Sequence, residues 1–196
     1  MNAPFTLRLF QRFGLAGSLL AGIALSGGCQ TAQVGEPLTA ELAGSSPEEQ
    51  MDFWHSLHQR PVACNDEAFH AILLFFDGEV SANSYNGRVD ALQSRGWLPS
   101  GFSEPAESAV TRGTLSVILA QALEIQGGVW MRIFGPSPRY ATRELEHLRL
   151  LADSSPQQSI SGDMLIGLIS RAEDYQRAHN LRAPAPQLPP APEVEE

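Results

Sequence analysis

Lysine is absent from all 196 residues, so 13 arginines carry every fixed positive charge, against 22 acidic residues and a formal net charge of −9. A chain this acidic, with no cationic run, excludes the phosphate-neutralising surface on which nucleic-acid binding rests. It also argues against electrostatic adhesion to anionic lipid. The missing lysine itself is read as coding bias of a GC-rich genome and carries no functional inference. Cysteine occurs twice, at Cys29 and Cys64. No apolar run reaches the roughly 20 residues that a membrane-spanning helix needs. Signatures of familiar catalysis are missing as well. No Ser sits in a Gly-x-Ser-x-Gly elbow, no Gly-rich phosphate loop opens a helix, and no Cys–His spacing matches a protease.

What is present begins at the N-terminus. Arg8 and Arg12 precede a small and apolar run from Gly14 to Cys29, and no acidic residue occurs before Glu36. A positive start, an apolar stretch of about 12 residues and small residues before a cut site make a secretory signal. The ending Leu25-Ser26-Gly27-Gly28-Cys29 resembles the lipobox of bacterial lipoproteins, with Ser26 where that family has a large aliphatic residue and Leu25 one place earlier. The resemblance implies a diacylglycerol on Cys29, cleavage before it and acylation of the new amino end. It places the protein in the bacterial cell envelope, membrane-anchored and facing the periplasm or the exterior. Residues 1–28 are then the signal peptide, and 168 residues follow, with 11 arginines against all 22 acids. Each buried CH₂ contributes only about 0.8 kcal/mol, so stable anchoring takes two or more acyl chains. Cys64 would be left without an intramolecular partner, and burial is expected for it.

Residues 29–45 read as the lipidated cysteine and a flexible tether, 46–179 as an all-α domain, and 180–196 as a disordered, proline-rich acidic tail. Within the domain, Ser46-Pro47-Glu48-Glu49 gives a capping box with proline at the first helical position. Asn65 is expected to cap a second helix ending at Asp77-Gly78, and a third spans about Asn86–Arg95 with Gly96 after it. Thr111 caps a fourth, bearing Leu115, Ile118, Leu119 and Ala122 and ending at Gly127-Gly128. Val129–Phe134 reads equally as helix or strand. Ser137-Pro138 or Thr142 opens the next helix, and Ser161 caps the last, which runs to about Ala178.

The segments 64–74, 110–120 and 160–170 align without gaps. Their capping residues Asn65, Thr111 and Ser161 are spaced 46 and 50 residues apart. A period of this size signals a repeated supersecondary unit, here helix, loop and capped helix. Val110-Thr111-Arg112-Gly113-Thr114-Leu115 and Leu92…Gly96-Trp97-Leu98 resemble the S-layer homology (SLH) repeat of bacterial envelopes. The resemblance implies three helix–loop–helix units packed as a compact, pseudo-threefold bundle that grips an acidic cell-wall polysaccharide through a motif arginine. In this register only Arg112 keeps that arginine; Asp66 and Gly162 take its place in the other copies. The motif glutamate is replaced by Thr114, Ala68 and Met164.

Arg112, Arg139, Tyr140 and Arg143 are the candidate residues for a glycan or other anion, because guanidinium groups match carboxylates with both charge and aimed N–H groups. His55, His58, Cys64 and His70 suggest a metal constellation on paper, but surface or core histidines explain them better. Glu144 with Glu146, and Asp163 with Glu173, read as solvated helix faces. Trp97, Trp130, Phe102 and Phe134 are expected to plug the core between helices. No cofactor and no metal site is expected. The expectation is a non-enzymatic, lipid-anchored envelope protein, a structural or interaction module for cell-wall glycan. The alternatives are an accessory subunit docking an envelope protein, with the proline-rich tail as a ligand for a partner groove, and, third, a cell-wall hydrolase.

Overall fold

The structure is a computed structural model, and the residues described in it are 33–34, 44 and 46–179. The signal segment, Cys29, most of the tether and the tail lie outside the described residues. The remainder is all-α: seven helices and no strand among the described residues, with α1 at Pro47–His58, α2 at Asn65–Asp77, α3 at Tyr85–Ser94, α4 at Arg112–Ala122, α5 at Val129–Phe134, α6 at Pro138–His147 and α7 at Gly162–Ala178. None of them is long and apolar enough to cross a membrane.

Local chemistry starts most of these helices. The Ser46 hydroxyl accepts the Glu49 N–H at 3.2 Å while the Glu49 carboxylate accepts the Ser46 N–H at 2.9 Å, a complete capping box. Thr111 and Ser161 accept the N–H groups of Thr114 and Met164 at 3.1 and 3.2 Å. Ser84 caps α3, and α6 opens at Ser137-Pro138. Two boundaries differ from expectation. Cys64, not Asn65, is the N-cap of α2: the Asn65 backbone N–H goes to the Ser108 carbonyl and its side-chain Nδ2 to the Pro105 carbonyl at 2.9 Å, so Asn65 is tied to a distant segment as the first residue of the helix. α4 ends at Ala122 rather than at Gly127-Gly128, because Glu124 takes a left-handed conformation (φ 52°) and folds the chain back to bury Ile125, whose N–H reaches the Ala120 carbonyl at 2.8 Å.

The helices pack most closely as α2 on α3, α4 on α6 and α7 on α1. Their inner faces contribute Phe53 and Leu57, Phe69 and Ile72, Leu92, Leu115 and Ile118, Leu145, Leu165 and Leu168, all essentially inaccessible to solvent. At about 1.5–3 kcal/mol for each fully buried large side chain, this layer is the main source of stability. Helix α2 is buried from Asn65 to Leu74. The described residues belong to one compact unit, Ala32–Glu196, whose core is drawn from Phe53 to Ala172.

The three short segments that lead into α2, α4 and α7 meet in the interior. Ala63 donates to the Ile160 carbonyl at 2.9 Å and Val110 to the Ala63 carbonyl at 3.0 Å. The first N–H of each helix is then received by a neighbouring segment: Asn65 by Ser108, Arg112 by Gln158 and Gly162 by Arg60, at 2.9, 2.9 and 3.0 Å. These three bonds run in a ring. Gly162 permits the last of them, since a Cβ there would lie 1.7 Å from the Leu57 carbonyl oxygen. Gln33 and Val34, within the expected tether, pair with Ser108 and Glu107.

Helices α3 and α6 end in the same turn. The Leu92 carbonyl receives the N–H groups of Trp97 and Leu98, and the Leu145 carbonyl those of Leu150 and Leu151. The turn needs a left-handed residue, which is Gly96 (φ 70°) after α3 but Arg149 (φ 60°) after α6. A side chain in that conformation costs about 1–2 kcal/mol, partly offset by the greater chain entropy glycine loses on folding. Arg149→Gly is therefore expected to stabilise the protein by about 0.5–1 kcal/mol in urea unfolding, with Gly96→Ala losing a similar amount.

Candidate functional site

Helix α6 begins with Pro138 and carries Arg139, Thr142, Arg143 and Glu146 along one side. Thr142 faces inward, donating to the Pro138 carbonyl at 2.7 Å and lying 3.2 Å from the buried Ser116 hydroxyl, so the helix is keyed to α4. Arg139 and Arg143, one turn apart, are left at the surface. Opposite them runs the loop that leads toward α7. The Glu146 carboxylate accepts the Ser154 N–H at 2.9 Å, and the Gly113 N–H reaches the Pro156 carbonyl at 2.8 Å, which fixes the loop at both ends.

Between helix and loop lies an open groove of about 550 Å³, lined by Arg139, Thr142, Arg143, Glu146, Asp153, Ser154, Pro156 and Gln157. Neither arginine is ion-paired among the described residues. The Ser154 hydroxyl is buried without a hydrogen-bond partner. Such a groove offers two guanidinium forks for a carboxylate and several polar groups for hydroxyls.

Of the four residues singled out from the sequence, the fold brings Arg139 and Arg143 to this groove. It does not bring Tyr140, which packs half-buried against the core. Nor does it bring Arg112, which is 4% exposed, donates to the Ala152 carbonyl at 3.3 Å and leaves its Nε unpartnered. Arg112 braces the loop from beneath. Asp153, Ser154 and Gln157 were not found by sequence reasoning, because nothing in their local sequence marks them; they meet α6 through the fold. Cys29 lies outside the described residues.

The other polar clusters are internal. Asp66 and Arg88, each nearly inaccessible, pair through the Asp66 Oδ1 to Arg88 Nε at 2.9 Å and to Nη2, and Arg88 also donates to the Ala82 carbonyl. The Glu67 carboxylate holds Arg60 Nε at 2.7 Å and the Cys64 N–H at 2.9 Å. These groups satisfy one another and leave no face for a ligand. Cys64 is fully buried, and burial pushes its thiol up to about 12. His55 and His58 are at the surface while Cys64 and His70 are in the core, so the four do not converge. Glu144 accepts the Gly128 N–H at 3.2 Å and Asp163 pairs with His58 at 3.2 Å, which gives both a structural partner.

The aromatic residues divide. Trp97 and Phe102 pack against the core, as expected, but Trp130 and Phe134 on α5 stand 61% and 66% exposed. The reason is the geometry of α5, which turns only Met131 inward. A scan against known protein families, a search of curated proteins and a search of solved structures each returned no match.

His70 is sealed against the Phe53 ring at 4.5 Å, and neither ring nitrogen has a partner. Burial, aided by the Arg88 charge, lowers its pKa to about 4. The folded chain therefore keeps a neutral imidazole at a pH where the unfolded chain, with an ordinary value near 6.5, binds a proton. Stability from this site is complete above about pH 6.5 and is lost as pH falls toward 4. Urea midpoints measured across that window should fall in the natural chain and flatten in His70→Leu.

Proposed function

We propose that this chain is a non-enzymatic, lipid-anchored protein of the bacterial cell envelope whose α6 groove is an interaction site for an acidic cell-wall glycan. The observation that carries this reading is the placement of Arg139 and Arg143: two surface guanidinium groups, without an ion pair among the described residues, on one groove wall of an otherwise acidic domain. Bidentate arginine contacts suit a sugar carboxylate, while Asp153, Gln157 and the unpartnered Ser154 hydroxyl suit the ring hydroxyls. Glu146 is already occupied by the loop backbone and does not compete for the arginines.

The ring of hydrogen bonds among the segments before α2, α4 and α7 supports a repeat of three helix–loop–helix units, similar to SLH modules. Each capped helix packs most closely on a different helix: α3 for α2, α6 for α4, and α1, from the far end of the domain, for α7. Aligned on the N-caps Cys64, Thr111 and Ser161, the motif-arginine position holds Asn65, Arg112 and Gly162. The motif-glutamate position holds Glu67, Thr114 and Met164, so the first copy keeps its glutamate. Because Arg112 is buried in the fold, the binding role passes in this reading to the α6 arginines beside it.

Two experiments test the two halves of the proposal. In a pulldown on purified cell walls, the double variant Arg139→Ala/Arg143→Ala should lose roughly tenfold or more in retention, while keeping its helical circular dichroism. Equal retention of variant and parent would overturn the glycan site. For the anchor, the Cys29→Ala variant should move from the membrane fraction to the soluble fraction of the cell. A variant that stays with the membrane would show that lipidation at Cys29 is not the tether.

A further inference from the structure

Helix α5 holds an apolar face in water. Val129, Trp130, Ile133 and Phe134 are 61–68% exposed, and the Trp130 and Phe134 rings stack at 5.8 Å with planes 13° apart. A six-residue helix has no stability of its own, so its outward face is held from below. Met131 is buried over Gly127, where a Cβ would lie 2.5 Å from the Met131 sulfur. The Gly128 N–H is fixed by the Glu144 carboxylate. Gly127 (φ 58°) and Gly135 (φ 76°) turn the chain into and out of the helix.

Charge says what this face fits. From Ile125 to Arg143 the chain carries three arginines, Arg132, Arg139 and Arg143, and no aspartate or glutamate, although the whole chain has 22 acids. None of the three is ion-paired among the described residues; Arg132 reaches only the Gln126 amide oxygen, at 3.1 Å. Exposed tryptophan, phenylalanine, isoleucine and valine on the same short helix as Arg132 are the chemistry of a membrane–water interface. The rings enter at the level of the acyl-chain tops and the cations meet headgroup phosphates. The acidic remainder of the domain is repelled by the same headgroups, so charge orients this face toward the lipid.

We propose that α5 is a membrane-contacting wedge, seating Val129, Trp130, Ile133 and Phe134 in the surface of an anionic phospholipid bilayer with Arg132 against the headgroup phosphates. The wedge rests on the reading that the chain works at a membrane, but not on Cys29 as the attachment. Net charge averaged over the chain disfavours electrostatic adhesion, but the acid-free stretch 125–143 carries the exposed rings.

The test uses residues 32–196, which lack the leader and Cys29 and keep every described core residue. With vesicles of phosphatidylglycerol and phosphatidylethanolamine, this protein should co-float, and brominated acyl chains should quench its tryptophan emission. Trp130→Ser/Phe134→Ser should weaken vesicle binding roughly tenfold or more with unchanged circular dichroism. Arg132→Glu should weaken it on anionic vesicles and not on phosphatidylcholine. Absence of flotation, or equal flotation by the double variant, would overturn the wedge. So would a self-associated state that the double variant dissolves, which makes a second copy the occupant. A Trp130 emission shift on deleting residues 180–196, which makes the tail the occupant, would overturn it as well. The Cys29→Ala fractionation reads the anchor separately, in cells.

Discussion

Three helix N-termini meet in the interior of this domain, and their backbone N–H groups must find acceptors there. The first turn of an α-helix has no internal partners for these donors, and an unpaired buried donor costs about 1–3 kcal/mol. The chain answers with its own neighbouring segments. Asn65, Arg112 and Gly162 each donate to a carbonyl just before or beside another of the three junctions. Each helix start thus depends on a segment far away in sequence. The arrangement also explains the buried carboxylates of α2, which lie at a helix N-terminus where negative charge is favoured. Asp66 and Glu67 are closed off by Arg88 and Arg60. A pair of this kind is poor evidence of stability, because desolvation offsets the attraction, but loss of one partner leaves a charge stranded in the core.

The proposed groove is an extension of this interior. The loop from Ala152 to Gln158 is held by Arg112 from below, by the Gly113 N–H on Pro156 and by the Arg112 N–H on Gln158. Helix α6 is held by the contact of Thr142 with Ser116 and by the close approach of Pro138 to Gly113, where a Cβ would sit 2.8 Å from the proline. Both walls are therefore attached to the first turn of α4. A change at Gly113 or Arg112 would move Arg139 and Arg143 relative to Asp153 without touching any of them.

Parts of this were legible from residue order because they depend on interactions within a few positions. The Ser46, Thr111 and Ser161 caps, the prolines at 47 and 138, and the glycine ends at Gly78 and Gly96 are local, and the all-α class follows from them. Cys64 as a cap was not legible, since the residue that looks like a cap, Asn65, is engaged by Pro105 and Ser108 some forty positions later. Glu124 hid the end of α4 because a left-handed turn was forced onto an ordinary residue by the burial of Ile125. The stretch from Arg139 to Arg143 held three of the four candidate anion-binding residues, and Arg139, Thr142 and Arg143 from it line the groove. Its partners on the facing loop carried no such mark.

What residue order determined is the sign of the charge, the helical class and most helix starts, for these depend on composition and on contacts three or four residues apart. Only the tertiary structure decided which arginines are available. Arg88 and Arg112 are drawn inside by buried acceptors, the Asp66 carboxylate and the Ala152 carbonyl, while Arg132, Arg139 and Arg143 remain outside with no ion-pair partner among the described residues. It likewise turned Trp130 and Phe134 outward, since one helical turn can bury only one side and Met131 already fills it. Side chains with the same chemistry were thus sorted into brace and surface by packing, which depends on segments that sequence order keeps far apart.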